Sequence, residues 1–349
     1  MNSYSATQAI SPAIDRTKRY LFHPFKLGTY LKLSVVACLT EGGSSGFNSN
    51  FNLPSGNHTS SSLSSFPSFN LSSEVIVLIV IGVLVCIAIG IYLSYLICRL
   101  RFAYFHCLAH QTKEIRPGWR LYRTQGMRYF IASIIIGLSF LFVLVLVALP
   151  FVFGFYRLYL SYQAGEPFNV GVFLLLLLPS IGIVICLCLA AYAVNAGMHD
   201  FILPHMALEN LTVLQSWAAA KTRIMAEKGS FAMYLLMRAL VPMAAYIAAF
   251  IVMIIPMVIV IGILVLTGVG IYSAFESATG VITFIGIFIE VVLGLIGLAF
   301  VLLLGVSLGG PIATWIRNYA LLFYGGRYQA LGDILFPPQP DAPDALEAR

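Results

Sequence analysis

The sequence predicts an all-α fold: a polytopic membrane helix bundle of about six spans in parallel-type repeats, with amphipathic helices at its cytoplasmic interface. Three observations predict it. Hydrophobic residues make up 60% of the 349 residues and charged residues only 10%, at a mean hydropathy of +0.91. A soluble domain carries about 25% charged residues, and less than half that density cannot clothe a globule of this size. Soluble enzymes, disordered chains and nucleic-acid binders are excluded on this ground. The second observation is a set of long apolar runs, and the third is the one-sided distribution of Lys and Arg.

A spanning helix needs about 20 apolar residues. Five runs qualify: Val75–Cys98, Tyr129–Phe155, Val170–Gly197, Leu240–Leu266 and Val281–Leu308. Pro150, Pro179, Pro242 and Pro256 mark kinks or helix starts within them, because proline removes an intrahelical hydrogen bond. Leu27–Thr40 is a shorter sixth candidate containing Lys32. If it crosses and the N-terminus is cytoplasmic, every Lys and Arg except Arg157 falls on the inner side, as the positive-inside rule demands. The net charge of +6 thus sets orientation, and both termini are expected in the cytoplasm. Residues 1–40 read as a cytoplasmic amphipathic segment and a short first span. Residues 41–74, rich in Gly, Ser and Asn and free of Lys and Arg, read as a flexible outer loop. Residues 75–335 form the bundle with its interfacial helices, and the Pro-rich acidic residues 336–349 a disordered tail.

Asn57-His-Thr59 and Asn70-Leu-Ser72 fit the glycosylation pattern, which matters only in a eukaryotic secretory pathway. Val35-Val-Ala-Cys38 loosely resembles a lipoprotein cleavage box, although Lys32 interrupts its apolar stretch. The six cysteines form no C-x-x-C pair and read as core thiols.

A weak repeat runs along the chain. Phe102…His106…Trp119…Arg123 is followed by Phe201…His205…Trp217…Lys221 at closely similar spacing, and a degenerate third copy contains Trp315 and Arg317. Thr212 and Gln215 have the capping-box spacing that starts a helix, and Gly229 is a candidate stop. Leu214, Trp217, Ala218 and Met225 fall on one stripe of that helix, with Lys221, Arg223 and Lys228 mostly off it. Basic helices with Trp suit an inner headgroup layer, so Trp119, Arg123, Trp217, Lys221, Trp315 and Arg317 are lipid-interface candidates. The expected partners are membrane lipids, anionic ones in particular, together with a protein partner in the membrane. Bracing of the spans from below is the other reading of these helices.

No catalytic constellation stands out, and no cofactor is expected. His106 and His110, at i and i+4, share a helix face, and His205 could join them at a metal. The spacing resembles the iron sites of membrane desaturases and hydroxylases, but their H-x-x-H-H clusters are missing. Glu290 lies deep in an apolar run. An intramembrane carboxylate is a functional candidate: a structural hydrogen bond, a proton- or cation-coupled transport role and an outer-vestibule position are its three readings. Gly82, Cys86, Gly90 and Ser94 form a small-residue stripe, and Gly305 and Gly309 a second, both suited to packing within the chain.

The opening from Ala13 through His23-Pro24-Phe25 to Leu33, and the Gly/Ser/Asn-rich stretch after it, resemble a group of uncharacterised bacterial polytopic membrane proteins. The group is similar, more distantly, to the six-span membrane domain fused to some glycerophosphodiester phosphodiesterases. The resemblance implies a fold and a bacterial plasma membrane, and it implies no activity. The functional expectation is a non-enzymatic accessory, scaffold or lipid-interacting factor, with a transporter using Glu290 as the alternative and a metal-dependent membrane enzyme behind both.

Overall fold

The computed structural model describes residues 4–42, 73–165, 167–275 and 281–337. Among them every regular element is helical. In chain order these are α1 (Ile10–Phe22), α2 (Leu27–Glu41), α3 (Ser73–Ala109), α4 (Arg116–Leu121), α5 (Arg123–Gln163) and α6 (Val170–Gly197). A π-helical turn, Met198–Ile202, leads into α7 (Leu203–Leu208). Then come α8 (Val213–Ala226), α9 (Lys228–Phe275), α10 (Val281–Gly325) and α11 (Gln329–Leu335).

Local chemistry accounts for several boundaries. The Asn169 side chain accepts from the Val172 amide and starts α6. Both bonds of the Thr212–Gln215 capping box are present at the head of α8, satisfying amides that a helix start leaves open. α10 closes at Gly325. Gly229 is not the stop of α8: that helix ends at Ala226, and Gly229 lies in the first turn of α9. Prolines 150, 179, 242, 256 and 311 all lie inside helices.

Five helices, α3, α5, α6, α9 and α10, contain segments long and apolar enough to cross a membrane. They cover the five apolar runs of the sequence. The expected sixth, α2, is not among them. Its 15 residues rise about 22 Å, short of the roughly 30 Å hydrocarbon core. Its end is also in the wrong place for an outer boundary. The Arg101 side chain donates to the Thr40 carbonyl at 3.1 Å, and Glu41 lies 3.8 Å from Arg317. Arg101 is about 42 Å of helix from Ser73, where α3 begins. The outer loop expected at 41–74, with Asn57 and Asn70, and the tail past residue 337 lie outside the described residues.

The apolar windows of the five long helices are almost wholly uncovered by protein, as lipid-facing surface would be. The buried core sits instead where the basic residues are, at the basic end of the molecule. It is built from α1, α2, the last turns of α3 and α10, the first turns of α5 and α9, the π turn, α7 and α11. Tyr4 and Phe336 meet there, ring centroids 5.9 Å apart, so both ends of the described chain lie at this end.

α1 is part of that core and not a free amphipathic segment. It buries Ala13, Thr17, Tyr20 and Leu21. Arg16 donates to the Leu108 and Ala109 carbonyls at the end of α3, at 2.8 and 3.3 Å. Burial, with Arg19 beside it, pushes the Arg16 guanidinium down to about 10. On the other side Asn318 donates to Thr17 Oγ1 at 2.9 Å, and Tyr319 to the Ala6 carbonyl at 2.9 Å. α1 thus straps α3 to α10. Cleavage before Cys38 would remove this strap, which weighs against the lipoprotein-like reading.

α2 packs along α10. A Cβ on Gly310 would collide with the Ser34 side chain, and one on Gly309 would lie 3.3 Å from Cys38 Sγ. Close approach is therefore centred on Gly309-Gly310 and not on Gly305, which has open space. The Gly82/Gly90 stripe also meets nothing. It faces outward, contrary to the expectation that it packs within the chain.

Candidate functional site

Where the apolar helices meet the buried core, four charged side chains and a histidine are shut away from solvent together. Glu41 ends α2, His199 and Asp200 lie in the π turn, Arg238 is near the start of α9, and Arg317 is near the end of α10. Asp200 Oδ2 pairs with Arg238 Nη1 and accepts from the Tyr234 hydroxyl at 2.7 Å. Asp200 Oδ1 lies 3.3 Å from Arg317 Nη1. The same Nη1 donates to the His199 carbonyl and to His199 Nδ1, both at 2.8 Å. Arginine only donates, so Nδ1 is the unprotonated nitrogen. His199 Nε2 faces Glu41 Oε1 at 3.4 Å.

Two guanidinium groups therefore meet two carboxylates around a neutral imidazole, joining α2, the π turn, α9 and α10. The π turn contributes directly. All five of its residues are buried, and the wider turn carries His199 and Asp200 inward. π turns recur at functional positions. The network is filled by its own members, and its chemistry is that of a clamp: removing one partner strands a buried charge.

A second network lies nearer the surface. His205 on α7 is buried, with Tyr324 Oη 2.8 Å and Arg223 Nη1 3.0 Å from its Nε2. Its Nδ1 faces Glu209 Oε2 at 3.3 Å. The Tyr328 ring lies against the imidazole, centroids 4.1 Å apart. His106 and His110 belong elsewhere, their rings 4.4 Å apart, with Tyr122 3.5 Å from His106 Nδ1. His106, His110 and His205 do not come together, and among the described residues no group of three or more His, Cys, Asp or Glu could hold a metal ion.

The lipid-interface candidates divide. Arg317 is 1% exposed and belongs to the buried clamp, so it cannot meet headgroups. Trp315 is half-buried, its indole N–H 3.4 Å from the Ile10 carbonyl. Trp119 is half-buried beneath Arg99, which stacks 4.3 Å above it and donates to its carbonyl. Arg123, Trp217 and Lys221 are exposed. α8 buries Ser216 and Ala220, packs half-buried Val213 and Ile224 against the core, and leaves three large apolar side chains exposed: Leu214 at 81%, Trp217 at 41% and Met225 at 56%, the Trp217 ring edge lying near Gly197. Phe102 and Phe201, the matching positions of the repeat, are both buried. The segments after them differ, since α4 has six residues and α8 fourteen.

Glu290 is exposed on α10, its Oε1 packed over Gly268 of α9 where a Cβ would come within 2.6 Å. Among the described residues no hydrogen bond or ion pair reaches its carboxylate.

Sequence reasoning missed the clamp. Arg238 was counted only as a charge that sets orientation, and Arg317 was read as a lipid-interface candidate. The available signal was acids at helix ends: Glu41 and Asp200 each close an apolar helix in a chain with only 14 acidic residues.

A family of unknown function, DUF7544, matches residues 4–334. The chain belongs to this family. No curated protein and no solved structure matches it. The match covers nearly all the described core, from the strap α1 to α11, so clamp and strap both lie within the family's extent. Nothing in these comparisons supports the likeness to the membrane domain of glycerophosphodiester phosphodiesterases.

Proposed function

We propose that this is a non-enzymatic integral membrane protein whose basic end engages anionic lipid headgroups through α8. The observation that carries the reading is the orientation of that helix. A helix docked only to brace the spans would bury its large apolar residues. α8 packs half-buried Val213 and Ile224 inward but leaves Leu214 and Met225 outward, with Trp217 exposed along one side and its ring edge near Gly197, and with exposed Lys221 on the same helix and Lys228 just beyond it. Outward apolar residues beside lysines suit the boundary between headgroups and acyl chains.

The same reading puts the basic end on the cytoplasmic face of a bacterial plasma membrane, with both termini there, because Lys and Arg favour that side. The parallel repeat belongs to it as well, resting on buried Phe102 and Phe201 and on the histidines four residues after each. A protein partner in the membrane would meet the uncovered faces of the long helices. Transport through Glu290 has less behind it, since its carboxylate stands alone among the described residues.

The test uses nanodiscs of neutral lipid with and without phosphatidylglycerol. Leu214→Ser with Met225→Ser should lower the fraction of anionic lipid retained around the protein while leaving its denaturation midpoint unchanged. An unchanged lipid profile would sink the proposal.

A further inference from the structure

Arg223 is half-buried on α8, and among the described residues no carboxylate lies within ion-pair distance of it. Nη1 donates to His205 Nε2 at 3.0 Å and to the Ala219 carbonyl at 3.4 Å. Its guanidinium lies over the Tyr328 ring, 5.0 Å from the centroid. Because arginine only donates, His205 Nε2 accepts, and Nδ1 carries the proton toward Glu209 at 3.3 Å. The nearby acid is therefore engaged by the imidazole and not by the arginine.

This is an unusual setting for a guanidinium. One nitrogen is fixed by a buried neutral histidine and the face by a phenol ring, while Glu209, held across the imidazole, forms no ion pair with it among the described residues. Tyr324 Oη, 2.8 Å from the same His205 nitrogen, holds the imidazole in turn. Tyr324 also hydrogen-bonds the Arg223 side chain, and the hydrogen bonds at His205 and Ala219 use Nη1 alone; a guanidinium edge with two further donors is a fork with the geometry to match two oxygens of one phosphate. Lys221, two residues earlier on α8, is exposed on a different face of the helix.

We propose that Arg223, positioned by His205 and Tyr324, is a binding site for the phosphate group of a membrane lipid headgroup. The site rests on the reading of α8 as an interfacial helix for its access to lipid, and on its own geometry for phosphate recognition.

The experiment is native mass spectrometry of the full-length protein in mild detergent, with phosphatidylglycerol or with inorganic phosphate alone. The wild type should retain one lipid through activation. Arg223→Gln should cut that retention about tenfold or more, the scale of losing a charge-assisted pair of hydrogen bonds. Arg223→Lys, which keeps the charge and loses the fork, should fall between them. Lys221→Gln removes an equal charge and should retain the lipid. Thermal unfolding of each variant shows that it is folded. Equal losses in Arg223→Gln and Lys221→Gln would overturn the site while leaving the interfacial role of α8 standing. Retention of inorganic phosphate without lipid, lost in Arg223→Gln, would support phosphate recognition and overturn the lipid source. A wild type that binds neither overturns the proposal outright. Unchanged lipid retention after Leu214→Ser with Met225→Ser counts against α8, separately from any result at Arg223.

Discussion

Arg317 and Asp200 meet inside the basic end, Nη1 3.3 Å from Oδ1, with both side chains closed off from solvent. Through this pair the last turns of α10 are tied to the π turn after α6, and Arg238 ties α9 to the same carboxylate. Helices whose apolar stretches are uncovered by protein are therefore gathered at one end, by charge and by the core around it.

Asp200→Ala leaves Arg238 and Arg317 sharing one carboxylate, Glu41. Stability should fall by about 3–5 kcal/mol, the usual cost of stranding a buried charge. Chemical denaturation in mild detergent measures it, and a loss under about 1 kcal/mol would mean that the network is wetter than its geometry implies.

Gly310→Ala and Gly82→Ala should behave oppositely. A methyl on Gly310 meets the Ser34 side chain and main chain, so overpacking should cost about 1–3 kcal/mol and loosen α2 from α10. Gly82 faces open space, and alanine there should be neutral or stabilising by up to about 1 kcal/mol. Denaturation midpoints of the two variants separate the cases, and equal midpoints would contradict the packing described for α2.

Arg16→Ala removes the side chain that caps the end of α3 with its two donated bonds. Release of α1 should show as faster proteolysis within residues 4–26, at a cost of about 1.5–3 kcal/mol for lost bonds from a charged donor. Proteolysis at the wild-type rate would show that α1 is held by its apolar residues alone.

Glu290→Gln removes a costly ionisable group from the lipid-facing surface of α10, so stability should stay equal or rise, and lipid retention should be untouched. Proton- or cation-dependent flux in liposomes, present in the wild type and abolished here, would instead establish the transport reading.

The long helices were legible because hydropathy is a property of contiguous residues. Val170–Gly197 is both the apolar run and the observed helix, and the Thr212 capping box is a four-residue signal. α2 was misjudged because its apolar character was read as lipid contact, whereas Leu33, Ser34, Val36 and Ala37 are buried against protein. The clamp was hidden because its members lie far apart in the chain, from Glu41 to Arg317, and no local pattern links them. Arg317 looked interfacial beside Trp315, and only tertiary packing separates a buried arginine from a headgroup-binding one. Small residues misled in the same way: the Gly82 stripe has the spacing of a packing face, but the close contact forms at Gly310.

The most direct test of an interfacial α8 is the depth of Trp217. A variant with Trp119→Phe and Trp315→Phe leaves it as the sole indole. In nanodiscs containing phosphatidylglycerol, lipids brominated near the headgroup should quench its fluorescence strongly, and its emission should be blue-shifted. Emission typical of water, unaffected by brominated lipid at any depth, would contradict the account.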